Sequence, residues 1–434
     1  MRHSIPASSR LTCMAGDPLT LYASWRERLT ENEGLLLVEF ALAQYWLDDK
    51  PSLALTALYC VVRGQLQVAV TDQALTADGC APGRQYLRWV NEHKLASFEP
   101  RGLLQLQPAT IAKPWGQEIW YSGVEQRGVC NFSTPIGQTP IPWLQAVAPD
   151  MALGEPGAAL VLLKILDPLP QPVTGDLYFE LHEAKREVYV VTHVDSTAWP
   201  DGIGHIRLGF DPQVIGRYAS EVEFRQAYLE AVQAYESVRR AIDATTSQGQ
   251  EPGAEVLARE QTLRAVMDGF THNEPVRVGD VVSIPLRVPH SLQHGVRTIE
   301  FQTPVYERKI LSFAQQVITQ QGWDTTAAVA QMLLTPPAQP PFEQLHGAAG
   351  VQIERIADFP DFEVRRVQVV PGAQWQFEPA GDYGIVMVVC GSLRMRDATY
   401  EPEQALLLPA GWEGALEAGE AAQSLVLLWA SPRS

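Results

Sequence analysis

Cysteine is scarce in this sequence, and the few cysteines present are far apart. The 434 residues contain five, and no two of them form a C-x2-C pair. An odd number of widely spaced thiols argues against a disulfide framework and against a zinc knuckle. The first residues also lack the apolar core of a secretory signal. We therefore expect a cytoplasmic protein with reduced thiols.

Positive charge is also in short supply. Lysine and arginine number 33 against 50 acidic residues, which gives a formal net charge of −17. We do not expect such an acidic protein to bind nucleic acid or an anionic membrane, and no uncharged apolar run reaches membrane-spanning length. A few local cations could still bind a phosphorylated sugar. The sequence leaves the oligomeric state open.

The most informative stretch runs from Leu177 to Val191. Successive side chains of a strand point to opposite faces, so Glu180 and His182 share one face. The polar residues 183–186 indicate a turn, and a second strand begins at Glu187. A hairpin would bring Glu187 to the face that carries the other two groups. Two carboxylates and an imidazole are costly to bury without a cation or a dense hydrogen-bond network.

A second motif lies about a hundred residues further along the chain. It reads Gly279-x5-Pro285-x-Arg287-x2-His290. This pattern resembles the G-x5-P-x-G-x2-H motif of the cupin family, with Arg287 in place of the family's second glycine. The resemblance implies a small antiparallel β-barrel and makes His290 a metal ligand.

The first stretch resembles the other cupin motif, G-x5-H-x-H-x3,4-E. Here Glu180-x-His182-x4-Glu187 has a glutamate where the family has its first metal-binding histidine. The cupin resemblance implies one divalent metal held by four residues: Glu180, His182, Glu187 and His290. Two imidazoles and two carboxylates suit Zn²⁺, Mn²⁺, Fe²⁺ or Ni²⁺, and of these we expect zinc.

A narrower resemblance, over roughly residues 110 to 434, is to the type I mannose-6-phosphate isomerases. That family carries a Gln-x-His pair, a Lys-x-Glu pair, a distant His and a Glu-x-Gln segment that ends near an Arg. The corresponding segments here are Glu180-x-His182, Lys185-x-Glu187, His290, Glu300-x-Gln302 and Tyr306-Glu307-Arg308. Lys113-Pro114-Trp115-Gly116 is similar to the start of the isomerase core. Two departures are the glutamate at position 180, where glutamine is usual, and a shorter spacing between Glu300 and Arg308.

The resemblance to these isomerases implies an aldose–ketose isomerase that acts on a sugar phosphate. The metal would polarise the carbonyl and hydroxyl oxygens of the sugar, and a base would carry a proton between C1 and C2 through an enediol. Lys185 and Arg308 would be the catalytic cations, and together with Arg287 they would bind the sugar or its phosphate. Glu300 and Gln302 would contact the metal ligands without binding the metal and would hold them in position.

The glutamate at position 180 changes the charge of the expected centre. With a divalent ion, two carboxylates and two neutral imidazoles carry no net charge, whereas the single glutamate of the family leaves a charge of +1. We therefore expect a weaker Lewis acid here, or a Glu180 that serves as a base.

Two other functions would use the same residues. A metal-dependent cupin dioxygenase, with iron or manganese, would employ the same four ligands and would consume oxygen. A non-catalytic carbohydrate-binding cupin would keep the fold and bind a sugar without turnover. The altered ligand at position 180 and the unexplained first hundred or so residues keep this third function open.

For the fold, we expect a mainly β protein with helical additions, built on two cupin barrels of the jelly-roll type. Residues 1–105 are predicted to be an α-rich region of unknown role, with helical segments over Trp25–Leu29, Gly34–Asp48 and Gln85–Leu95. Residues 106–335 would form the metal-binding barrel, with a helical insertion at about 211–270 between its two motifs. Residues 345–434 would form the second barrel.

The second barrel is predicted to lack a metal site. The segment Pro409-Ala410-Gly411-Trp412-Glu413-Gly414 matches P-x-G-x2-H with glycine in place of the histidine, and no histidine follows His346. A repeated barrel motif within one chain strengthens the fold prediction.

Overall fold

The protein is mainly β, as the sequence predicts. The computed structural model describes six stretches of the chain: residues 11–315, 322–339, 341–377, 381–395, 398–419 and 423–433. Within them, strands outnumber the seven α-helices several-fold. No helix in these six stretches combines the length and the apolarity needed to cross a membrane.

Residue contacts group the chain into two compact units. The first comprises Met1–Ala109, Trp120–Leu163 and Phe342–Ser434, and the second comprises Thr110–Ile119 and Lys164–Pro341. The division into domains at 1–105, 106–335 and 345–434 stays a prediction.

The N-terminal part of the first unit is a four-stranded sheet with two helices. Its elements are β1 (Leu11–Ala15), α1 (Pro18–Arg28), β2 (Glu33–Ala43), β3 (Ser52–Val62), β4 (Gln65–Thr71) and α2 (Pro82–Glu92). β1 is parallel to β2, and the other neighbours are antiparallel. Tyr86 and Trp89 of α2 pack with Leu37 and Leu58 of the sheet.

The prediction that residues 1–105 are α-rich is wrong for the part that the structure describes. The sequence predicts a helix over Gly34–Asp48, but most of this segment lies in β2, where Leu35, Leu36 and Val38 are fully buried. A strand that is buried on both faces has a continuous apolar run. Hydrophobic periodicity does not distinguish such a run from a buried helix.

The remainder of the first unit contributes a nine-stranded and a four-stranded sheet. Short elements come first: β5 (Leu104–Gln107), β6 (Ala109–Lys113), β7 (Gly116–Trp120), β8 (Val124–Glu125), β9 (Gly128–Val129), β10 (Asn131–Ser133), β11 (Gln138–Pro140) and α3 (Ile141–Gln145). Of these, β5, β10 and β11 join the nine-stranded sheet, whereas β6 and β7 join a sheet of the second unit.

The second unit is built on two sheets that share one core. Its strands are β12 (Leu162–Pro168), β13 (Phe179–Leu181), β14 (Glu187–Val194), β15 (Gly204–Phe210), β16 (Thr271–Val276), β17 (Val281–Ile284), β18 (His290–Leu292), β19 (Val296–Gln302) and β20 (Lys309–Ser312). The six-stranded sheet has the order β17-β14-β19-β12-β7-β6, and the five-stranded sheet has the order β16-β15-β18-β13-β20. Tyr189 and Ile284 of the six-stranded sheet pack in one hydrophobic cluster with Ile206 and Leu292 of the five-stranded sheet.

A helical insertion separates β15 from β16, as the sequence predicts. It consists of α4 (Pro212–Ile215), α5 (Glu221–Ser247) and α6 (Ala254–Asp268), and α7 (Thr325–Gln331) follows β20. The apolar stripe of α5, which includes Phe224 and Tyr228, packs against Phe179 and Phe210 of the five-stranded sheet. The stripe therefore belongs to the hydrophobic core.

The C-terminal strands of the first unit repeat the pairing of two sheets. They are β21 (Glu343–Ala348), β22 (Val351–Asp358), β23 (Phe362–Val369), β24 (Gln374–Phe377), β25 (Gly384–Cys390), β26 (Leu393–Met395), β27 (Ala398–Tyr400), β28 (Ala405–Leu408), β29 (Gly414–Ala418) and β30 (Leu425–Pro432). The sheet orders are β11-β10-β5-β28-β25-β30-β23-β22-β21 and β24-β29-β26-β27. Val367 and Leu427 of the nine-stranded sheet share a core with Leu393 and Leu416 of the four-stranded sheet. Closure of each sheet pair into a distinct barrel stays a prediction.

Candidate metal centre

The two motifs meet where the chain crosses between the sheets of the second unit. The predicted hairpin over Leu177–Val191 is wrong, because β13 pairs with β18 and β20, whereas β14 pairs with β17 and β19. The turn at 182–186 therefore leads from one sheet to the other. Glu180 lies directly opposite His290 in the ladder of β13 and β18. This register brings the distant second motif to the first.

Four side chains converge at this crossing. One donor atom each of Glu180, His182 and His290 lies within 4.8 Å of the other two. The Glu187 carboxylate faces both imidazoles, at 3.4 Å from Nε2 of His182 and 3.2 Å from Nε2 of His290. Nε2 of His182 is 3.8 Å from Oε1 of Glu180. His182, Glu187 and His290 are buried.

Backbone carbonyls determine which ring nitrogens of the two histidines carry protons. Nδ1 of His182 lies 3.0 Å from the carbonyl oxygen of Glu307, and Nδ1 of His290 lies 3.1 Å from that of Val288. A carbonyl only accepts, so both Nδ1 atoms are the donors and both Nε2 atoms of the neutral rings carry lone pairs. Burial, together with the nearby Lys185 ammonium, lowers the pKa of His182, which favours its neutral form.

These donors fit a divalent metal. Both Nε2 atoms are buried and have no hydrogen-bond partner within the described stretches, and they face carboxylate oxygens that also offer only lone pairs. A cation between them would relieve that repulsion. Ligands at about 2.1 Å around a tetrahedral zinc are separated by roughly 3.4 Å. Three of the separations between these donors, 3.2 to 3.8 Å, match that value, and the donor atoms of Glu180, His182 and His290 lie within 4.8 Å of one another.

Glu187 is ionised and firmly held. Burial alone would raise its pKa, but the Lys185 ammonium above all holds the pKa of Glu187 well below its usual value. Nζ of Lys185 lies 2.6 Å from Oε1, and the Tyr189 hydroxyl donates to Oε2 at 2.9 Å. The predicted catalytic lysine is therefore buried beside a ligand.

Glu180 is held by the other predicted catalytic cation. Nη1 of Arg308 lies 3.4 Å from Oε2 of Glu180, and its guanidinium lies over the Tyr178 ring, 4.5 Å from the centroid. Burial would raise the pKa of Glu180, but Arg308 above all lowers it. The centre therefore contains two carboxylates, and Arg308 compensates the charge of the second one.

A row of charged side chains crosses the six-stranded sheet behind the centre, one on each of five neighbouring strands: Lys113, Glu118, Lys164, Glu300 and Glu187. Nζ of Lys113 lies 3.1 Å from Glu118, and Nζ of Lys164 lies 3.3 Å from Glu300. Burial raises the pKa of Glu300 well above its usual value, although Lys164 opposes this.

Sequence reasoning missed Lys164, which lies in an apolar run that predicts a buried strand. A single lysine within such a run is the signal that could have identified it, because an unpaired lysine is almost never fully buried. Of the two predicted supporting residues, Glu300 pairs with Lys164, and Gln302 is buried opposite Glu187 in the ladder of β14 and β19.

Arg287 is placed differently from the other predicted cations. Its side chain is exposed. Its backbone has a φ of 62°, in the left-handed region where the cupin motif has glycine. Its amide donates to the carbonyl oxygen of His182 at 2.7 Å. The substrate role of its side chain stays a prediction.

This chain resembles several solved structures in its fold. No family model and no curated protein matches the sequence. Mannose 6-phosphate isomerase from Bacillus subtilis is 14% identical with a TM-score of 0.54, and the match covers 76% of this chain and 99% of that one. A zinc-bound mannose 6-phosphate isomerase is 12% identical with a TM-score of 0.53, and the match covers 76% of this chain and 100% of that one. A single-substitution variant of phosphomannose isomerase from Salmonella typhimurium is 12% identical with a TM-score of 0.51, with the same two coverages. This chain therefore shares the fold of these isomerases over three quarters of its length.

Proposed function

We propose that this protein is a metal-dependent cupin isomerase that interconverts an aldose phosphate and a ketose phosphate, as mannose 6-phosphate isomerases do. The grouping of Glu180, His182 and His290, whose donor atoms lie within 4.8 Å of one another, carries the proposal, together with a Glu187 carboxylate that lies 3.2 to 3.4 Å from both imidazoles. The fold shared with structures of those isomerases supports it, and one of those structures contains zinc. Zinc is the proposed ion, with manganese, iron or nickel as alternatives.

The four convergent side chains would hold the metal, which when bound would polarise the carbonyl and hydroxyl oxygens at C1 and C2 of the sugar. One N–H of the Lys185 ammonium points to Glu187, with Nζ 2.6 Å from the carboxylate. The other N–H groups would donate hydrogen bonds to an anionic sugar oxygen. Arg308 is held by Glu180 and by the Tyr178 ring, so its remaining donors are fixed in direction. Both cations would stabilise the negative charge of an enediolate.

Residues around these four supply position and charge. Glu300 and Gln302 are buried next to Glu187 and would keep its strand and its carboxylate in place. Arg287 has an exposed guanidinium beside the turn at 182–186, where it would bind the phosphate of the substrate.

Conversion of mannose 6-phosphate to fructose 6-phosphate tests the proposal. We expect turnover by the metal-loaded protein, loss of turnover after a chelator, and recovery when Zn²⁺ is returned. His290→Ala should remove both metal binding and turnover. His346→Ala, outside the second unit, is a control that should change neither. A metal-loaded protein inactive on a panel of aldose phosphates would exclude this function, and consumption of oxygen with Fe²⁺ would favour the dioxygenase instead.

A further inference from the structure

Glu307 contacts the metal-ligand turn at three points. Its carbonyl oxygen accepts a hydrogen bond from Nδ1 of His182 at 3.0 Å. Its side-chain Oε2 accepts from the backbone amides of Glu183 at 2.9 Å and Ala184 at 3.2 Å. One residue therefore holds the ligand ring and also the backbone that follows it.

The other carboxylate oxygen of Glu307 shows that this arrangement has a cost. Oε1 is buried and has no hydrogen-bond partner within the described stretches. A glutamate that turned into water would avoid that cost. The two charge-assisted hydrogen bonds from Oε2 to the turn offset it.

The turn at 182–186 needs such support because it lies outside both sheets. It joins β13 to β14, which belong to different sheets, so no strand ladder fixes it. Arg186 exchanges two hydrogen bonds with Thr303, at 3.0 and 3.1 Å, and this secures the end of the turn. The beginning of the turn, where His182 lies, depends on Glu307 and on the amide of Arg287.

We propose that Glu307 is a positioning residue for the metal ligand His182. Its carbonyl selects the ring tautomer that leaves Nε2 for the metal, and its carboxylate fixes the backbone so that the ring cannot turn away. The inference rests on the metal-binding part of the proposed function and does not depend on isomerase activity.

Three variants of the full chain distinguish the effect of side-chain length at position 307 from the effect of its negative charge. Glu307→Gln keeps the length of the side chain and an acceptor oxygen but removes the charge. Glu307→Asp keeps the charge but is one methylene too short for the same hydrogen bonds. Glu183→Gln is the matched control, because Glu183 lies on the same turn and pairs with Lys309 through its carboxylate, which does not bond to the ligand backbone.

Zinc affinity is measured by competition with a chromophoric chelator, and the visible spectrum of bound Co²⁺ reports ligand geometry. We expect Glu307→Asp to weaken zinc binding by about 10- to 100-fold and to alter the cobalt spectrum. The zinc affinities of Glu307→Gln and Glu183→Gln should stay within a few-fold of the wild-type affinity. The melting temperatures of the metal-free variants should not correlate with their zinc affinities.

Four results would overturn the inference, and the last of them would overturn the proposed function as well. Zinc affinity of Glu307→Asp equal to wild type would show that the reach of the side chain is irrelevant. Weaker binding by Glu307→Gln than by Glu307→Asp, or an equal loss in Glu183→Gln, would show that charge near the site is the cause. Wild-type protein that binds neither Zn²⁺ nor Co²⁺ would instead remove the proposed function, and the role of Glu307 with it.

Discussion

Replacing Lys164 with methionine should strongly destabilise the second unit. Its ammonium lies 3.3 Å from the carboxylate of Glu300, and two unit charges at that distance attract by about 5 kcal/mol at an effective dielectric constant of about 20. Glu300 is fully buried, and neither of its oxygens has a hydrogen-bond partner in the described chain. Removing one member of a buried pair typically costs about 3 to 5 kcal/mol. Because burial raises the pKa of Glu300, its carboxyl takes up a proton more readily once the lysine is gone, so we expect Lys164→Met to lower the free energy of unfolding by about 3 kcal/mol, the low end of that range.

The reverse change, Glu300→Gln, should cost less. Lys164 would keep a second carboxylate nearby, that of Glu118, which helps to raise the pKa of the lysine. The double variant should be more stable than Lys164→Met alone, because it leaves no unpaired buried charge. Urea unfolding of the four proteins at neutral pH, followed by circular dichroism and analysed as a double-mutant cycle, measures these differences.

Lys309→Met is a control with the same change of side chain at an exposed pair. Lys309 lies 2.6 Å from Glu183, but both side chains are partly in solvent, and exposed pairs contribute little to stability. Its unfolding midpoint should stay close to that of wild type. If Lys164→Met were no more destabilised than this control, or if the double variant were as unstable as Lys164→Met, then Glu300 would not be a buried charge that depends on Lys164.

Three further predictions concern single residues. Glu180→Gln restores the amide usual in the isomerases and leaves a net positive centre, so isomerisation per bound metal should rise by about tenfold, or 1.4 kcal/mol of barrier; an unchanged rate would place Glu180 outside the chemistry. Arg287→Gly removes a left-handed arginine and should raise stability by about 1 kcal/mol, while KM for the sugar phosphate rises and kcat does not; an unchanged KM would remove Arg287 from the phosphate site. Burial would raise the pKa of Glu363, but Arg433, Arg365 and Arg355 lower it, so its stabilisation is present above the unfolded value of 4.5 and is lost as pH falls towards the folded value. Melting temperatures from pH 7 to pH 3 should therefore fall more steeply for wild type than for Glu363→Gln, and parallel curves would contradict this.

The spacing of polar residues predicted which side chains belong to the candidate site but not how the chain brings them together. Alternation along β13 placed Glu180 and His182 on one face, the expected hairpin added Glu187, and the resemblance of the second motif to a cupin motif supplied His290. These four side chains lie close together in the structure. The ladder register of Glu180 and His290 depends on pairing across about a hundred residues, and local pattern carries no information on that pairing. The roles of Lys185, Arg287 and Arg308 in binding and catalysis stay predictions.

The wrong hairpin has a physical consequence for the proposed metal. A polar turn between two strands predicts a hairpin only if the strands pair with each other, and β13 and β14 instead lie in different sheets. Glu180 and His290 therefore belong to the five-stranded sheet, whereas Glu187 begins a strand of the six-stranded sheet. An ion bound by all of them would connect the two sheets across their common core, in addition to the apolar contacts. Its binding free energy would then stabilise the packing of the two sheets, since a ligand that binds only the folded state shifts the unfolding equilibrium by mass action.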